Sequence, residues 1–217
     1  MRIVNLSLVT LVFLLFGTAT ACASALDTTE LQIQLDKILK EEGEVPYVKA
    51  IFRSHPQKEI QEDFLALIEN GEVILRREYR STGVPGAVTP QWNADGDMNL
   101  LFGLENEFFQ WEVKRLWSIL THEWTHVKDI RAGITYIPSP NEKHTAQTVR
   151  SLFEDEARAY KAQCRFQKDI GITDDHPACP VFFEDGEREF RRGLANIMSK
   201  NPDLVGFTSI LFDQAEK

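Results

Sequence analysis

Apolar and polar residues alternate along the chain with two periods, and each period predicts elements. Residues 28–42 place Leu31, Ile33, Leu35, Ile38 and Leu39 at helical spacing, with Asp27, Thr28 or Thr29 available as a cap. Gly43 and Pro46 are expected to end that helix. Tyr47 to Phe52 reads as a short strand. Residues 57–69 carry Ile60, Phe64, Leu65, Leu67 and Ile68, a second helix closed by Asn70-Gly71. Val73 to Tyr79 and Met98 to Leu104 read as strands, separated by the turn-forming stretch 81–97. The second of these strands is expected to wall a cleft, where an extended peptide could pair with its edge.

Three further helices are expected, from Glu107 to Asp129, from Asn141 to Lys168 and from Phe183 to Ser199. Gly133 stops the first of them, and a loop with Pro138 and Pro140 follows it. No internal repeat or interdomain linker interrupts the pattern. The expected fold class is therefore α+β, predominantly helical with a small sheet.

The N-terminus breaks this pattern. Arg2 precedes the apolar run 3–16, which is followed by small residues up to Ala25. That order reads as a secretory signal peptide over 1–25, with Ala23-Ser24-Ala25 as the cleavage zone. The run is short for a membrane span, which needs about 20 residues. Lipidation at Cys22 is the rival reading, although Ala19 stands where a lipobox usually has leucine. The expected mature chain, 26–217, is one exported domain without a transmembrane span, periplasmic or secreted. Its remaining cysteines, Cys164 and Cys179, would pair in an oxidising compartment and close a loop of about 15 residues.

Charge narrows the partners. The chain has 24 basic and 33 acidic residues, a net charge of −9. Losing Arg2 with the leader makes it more negative still. Nucleic acid and anionic membrane surfaces are thereby disfavoured as partners.

The chemistry is concentrated in Thr121-His122-Glu123-Trp124-Thr125-His126, inside an apolar helical run. Histidines four apart lie on one helix face, so both imidazoles can reach one zinc ion. Glu123 lies near that face and can accept a proton from a water at the metal rather than bind the metal itself. The longer pattern with glycine three and histidine six residues beyond the second histidine is absent, because Asp129 and Ala132 occupy those positions. A third ligand must come from elsewhere. The run Glu154-Asp155-Glu156 offers three acids on the next helix. Helical spacing puts Glu156 on the face of Val149, Phe153, Tyr160 and Cys164, and puts Glu154 and Asp155 outside it. A carboxylate on an apolar face needs a partner, and a metal is the simplest one. Glu156 is the expected ligand, with Glu154 as the alternative.

The pair of segments 121–126 and 156–163 resembles the gluzincin branch of zinc metallopeptidases, over about residues 113–165. It is most similar to small exported bacterial proteins of that kind. The resemblance implies a zincin-like fold with two metal-ligand helices. It implies His122, His126 and Glu156 as ligands of one zinc ion and Glu123 as the general base. It further implies a metallopeptidase acting on a peptide or protein substrate. Several gluzincins have an aspartate four residues after the ligand glutamate to orient a histidine. Tyr160 stands there in this chain, so Asp129 or Asp155 would have to serve instead.

Other residues carry less. His144, Tyr136 and Tyr160 are candidates to bond an oxyanion. His55 and His176 read as loop or surface residues. Asn93 to Asp97 reads as a turn, with only part of a calcium-ligand series. Trp117 and Trp124 read as core or cleft wall. The competing function is a non-catalytic, zinc-stabilised exported binding protein, with a fourth ligand such as His144 closing the site.

Overall fold

A computed structural model describes residues 27–78, 85–93, 95, 97–138, 142–172, 178–201 and 204–217. The expected leader and His176 lie outside them. The fold is α+β and mostly helical, with one three-stranded sheet.

Helix α1 spans Thr29–Glu42 and stops at Gly43, whose φ of 93° suits a residue without Cβ. The expected strand at Tyr47–Phe52 is instead helical, within α2 (Glu44–Ser54). Pro46 falls in the first turn of α2, where backbone N–H groups have no helical partner and proline is tolerated. Tyr47, Val48, Ile51 and Phe52 are all buried, which is helical rather than alternating spacing. The next helix contains a π-helical turn, Ile60–Phe64, and continues as α3, Leu65–Glu69.

The strands are β1 (Val73–Arg77), β2 (Gly86–Trp92) and β3 (Met98–Leu104), in the order β1-β3-β2. β1 runs parallel to β3 and β2 runs antiparallel to it. Two expectations are corrected here. The turn-rich stretch contains a seven-residue strand, β2. β3 is the central strand, so the edges belong to β1 and β2.

Helix α4 spans Val113–Arg131, beginning six residues later than expected because a short 3-10 turn occupies Asn106–Phe109. Gly133, with φ of 67°, and the Ile134 N–H bonded to Asp129 O at 2.8 Å close its end. Helix α5 spans Ala146–Asp169, with Thr145 as N-cap. The Thr145 hydroxyl accepts from the Thr148 N–H, and the Thr148 hydroxyl accepts from the Thr145 N–H. The expected final helix is two, α6 (Ala178–Glu184) and α7 (Glu187–Met198), divided at Gly186. A further helix, α8 (Thr208–Ala215), follows.

Two apolar clusters form. The first joins α1 to α4 and the sheet, with Phe64 touching Phe52, Phe102 and Trp124. The second joins Val149, Phe153 and Ala157 of α5 to Phe190, Leu194 and Leu211 of α7 and α8. Cys164 of α5 and Cys179 of α6 lie at disulfide distance, 2.09 Å between sulfurs, and connect α5 to the C-terminal helices. That pair is compatible with an oxidising compartment. Among the described residues no helix is long and apolar enough to cross a membrane.

Candidate metal centre

Helix α4 has an aromatic flank and a polar flank. Leu116, Trp117, Leu120, Trp124 and Val127 bury the first in the apolar cluster. His122, Glu123, His126 and Asp129 are buried too, although all four are polar. Polar side chains removed from water require partners, and α5 and β2 supply them.

His122 Nδ1 faces Gln163 Oε1 at 3.0 Å. With its oxygen toward the ring, that amide donates its NH₂ to Ser118 Oγ at 3.0 Å. His126 Nδ1 faces the Asp155 carboxylate at 2.6 Å. The carboxylate requires His126 Nδ1 to donate, and the amide oxygen suits the same tautomer in His122. In the neutral rings, both Nε2 atoms are left with lone pairs.

Those two Nε2 atoms are 3.0 Å apart. Glu156 completes the group, with one oxygen 3.6 Å from His122 Nε2 and the other 3.9 Å from His126 Nε2. The three ligand atoms lie within 4.8 Å of one another. Two nitrogens at bonding distance from one tetrahedral ion are roughly 3.3 Å apart, close to the spacing here. Two such nitrogens this close need a cation between them, either a shared proton or a metal ion. His122, His126 and Glu156 could thus hold a metal ion. Glu154 is turned away, with its carboxylate bonded to Arg191.

The surroundings of Asp155 determine the state of His126. Asp155 accepts from Thr135 Oγ1 at 2.5 Å and lies 3.4 Å from Arg158, which also pairs with Asp129. Of the two acids weighed for orienting a histidine, Asp155 touches His126, and Asp129 acts only through Arg158. Burial pushes the His126 pKa down. The hydrogen bond to Asp155 and the charges of Glu123 and Glu156 outweigh burial and raise it to about 9.

Glu123 is 5% exposed, and one of its oxygens accepts the Val88 N–H of β2 at 2.6 Å. Burial raises its carboxyl above the usual carboxylate range, although both histidines and the Val88 N–H pull the other way. In Glu156 burial also acts upward, but the two histidines prevail and the carboxyl is lowered.

A cavity of about 790 Å³ opens beside the group. β2 walls it from Val88 to Trp92, and Ile130, Ile137 and Leu152 line it along with His126, Glu156 and His144. The side chain of His144 has a buried Nδ1 without a hydrogen-bond partner, yet it is not part of the three-residue group. Tyr136 is 44% exposed and donates its hydroxyl to Glu142 at 2.7 Å. The ring of Tyr160 packs edge-on against His122, with centroids 4.5 Å apart. Asn93 Oδ1 accepts from the Asp95 and Asp97 N–H groups, as in a turn.

His55 departs most from its expected role. It is fully buried, stacks on Phe166 at 4.9 Å and accepts the Gln57 N–H at Nδ1. Nε2 therefore carries its hydrogen and donates to Trp117 O at 2.9 Å, on the aromatic flank of α4. A lone histidine between Ser54 and Pro56 carries no periodic signal, so its burial was not legible. Gln163 did carry one. It lies seven residues after Glu156, on the same helical face, as an uncharged polar residue in an apolar stripe.

Comparison of the chain with known protein families, curated protein sequences and solved structures gives no match.

Proposed function

We propose that the protein is an exported, zinc-dependent hydrolase of peptide or amide bonds, of the gluzincin kind, with a zincin-like fold. His122, His126 and Glu156 hold the ion and Glu123 is the general base. The observation that carries this reading is the convergence of both Nε2 atoms on Glu156 while both Nδ1 atoms face acceptors. Zinc suits an N₂O donor set and, when bound, would polarise a carbonyl and acidify a water.

The residues of this chain do the rest. Asp155 and Gln163 fix the tautomers and ring orientations of His126 and His122. Glu123, buried beside the three ligands, accepts the proton of the attacking water and passes it to the leaving amine. The cavity along β2 receives the substrate. An extended peptide is the natural occupant, because a sheet edge offers main-chain hydrogen bonds at the strand repeat.

The test is metal content followed by activity. About one zinc per chain is expected in wild type and Glu154→Ala, and none in Glu156→Ala. Zinc-loaded wild type is expected to cleave members of an unbiased peptide library. Glu123→Gln should keep its zinc and lose activity by about a hundredfold or more. Unchanged activity in Glu123→Gln would remove it as the base. Zinc binding without any cleavage would favour the non-catalytic binding protein.

A further inference from the structure

The cavity beside the three-residue group has a carboxylate in its wall that no cation neutralises. Asp155, Glu156 and Glu142 line it, and no lysine or arginine does so among the described residues. Asp155 and Glu156 face the two histidines, and Asp155 also lies beside Arg158. Glu142 has no such neighbour. Its side-chain partner among the described residues is Tyr136, whose hydroxyl is 2.7 Å from each of the two carboxylate oxygens. A hydroxyl has one hydrogen, so it holds the carboxylate in place without removing its charge. Tyr136 is itself anchored, because its backbone N–H donates to Ser151 Oγ of α5 at 2.9 Å. Other exposed glutamates, such as Glu59, Glu72 and Glu216, pair with a lysine or arginine instead. Lys143, next to Glu142 in the chain, is exposed and does not line the cavity.

Two further features of the lining suit a long cationic side chain. Ile130, Ile137 and Leu152 form an apolar wall. The methylene stem of lysine or arginine packs along such a wall while its charged head stays among polar groups. His144 lines the same cavity and keeps a buried Nδ1 without a hydrogen-bond partner among the described residues. With hydrogen on Nε2 that atom accepts, and an ammonium or guanidinium paired with a carboxylate has donors to spare.

We propose that Glu142 determines specificity: the cavity selects a substrate with lysine or arginine at one fixed position relative to the bond cleaved, its charged head paired with the Glu142 carboxylate. This rests on the peptidase reading above and adds a substrate class to it. The apolar wall alone would take a neutral aliphatic side chain equally well, so the carboxylate is what separates the two. The net charge of −9 acts in the same direction, by drawing cationic peptides towards the cleft. Tyr136 acts as a positioning residue, through Glu142.

The test begins with a peptide library given to zinc-loaded wild type, whose products are sequenced. One position is expected to be enriched in lysine and arginine. A cleaved peptide is then made with lysine and with norleucine at that position, since norleucine has the same stem and no ammonium. Wild type is expected to favour the lysine peptide by about tenfold in kcat/KM. Glu142→Gln should bring that ratio close to one, and Glu142→Lys should make a glutamate peptide better than the lysine one. Enrichment in apolar residues alone, a ratio near one in wild type, or an unchanged ratio in Glu142→Gln would overturn the role of Glu142 and leave the peptidase reading standing. Failure to cleave any peptide in the library would overturn both.

Discussion

Helix α4 holds buried histidines on its two flanks, and they respond to burial in opposite ways. His55 lies against the aromatic flank, stacked on Phe166, with only backbone and hydroxyl partners and no carboxylate. Burial there pushes its pKa down to about 4, although the bonds to Trp117 and Gln57 act upward. His126 lies on the polar flank, where Asp155, Glu123 and Glu156 outweigh burial and raise it to about 9. One histidine is thus held neutral as a structural donor, and the other lies in a pocket that favours positive charge. The difference is set by neighbouring carboxylates rather than by depth. A pocket that raises the charge of a histidine is also one that attracts a cation.

The two flanks should fail differently. The largest effect belongs to the aromatic one. Phe64 is fully buried and touches three other rings, so Phe64→Ala removes a ring from the centre of the first cluster. A loss of about 3–5 kcal/mol is expected, read as a lower midpoint in urea unfolding. A loss below about 1 kcal/mol would mean that this cluster does not support α4.

His55 sharpens the comparison through pH. Its folded pKa is depressed, so between about 4 and 6.5 the unfolded chain binds the extra proton. Its contribution is complete above pH 6.5 and is lost as pH falls towards 4. The loss is about 3 kcal/mol from this group alone. Urea unfolding at a series of pH values should show it. His55→Gln keeps a donor for Trp117 O but does not titrate, so it should flatten that part of the profile. An equally steep profile in the variant would assign the acid sensitivity to other groups.

Much of the site was legible because it is periodic. The spacing of His122 and His126 and the position of Glu156 in an apolar stripe are helical facts, and the structure places these three side chains together. The same reasoning ranked Glu154 second, and that residue faces Arg191. What failed to show was local sequence with conflicting signals. Tyr47 to Phe52 contains aromatic and β-branched residues that favour strands, yet packing on α4 and the sheet makes it helical. Gly86, Pro90 and the surrounding turn formers conceal β2, whose strand character comes from its pairing with β3. Sheet order is not periodic at all, so β3 read as the edge when it is the centre.

The smallest expected effects separate the two histidines of the proposed site from one another. His126 is oriented by a carboxylate, His122 by a neutral amide. Charge-assisted hydrogen bonds are the stronger of the two and make the ring a better electron donor. Asp155→Asn keeps the shape of that partner and removes its charge, and should weaken zinc binding by about 10–100-fold. Gln163→Ala removes only a neutral acceptor, and a water can replace it, so its cost should lie at or below about tenfold. Competition against a chelator of known affinity measures both variants on one scale. A greater loss in Gln163→Ala than in Asp155→Asn would reverse the ranking. It would mean that the polar flank holds its ion through ring geometry more than through charge.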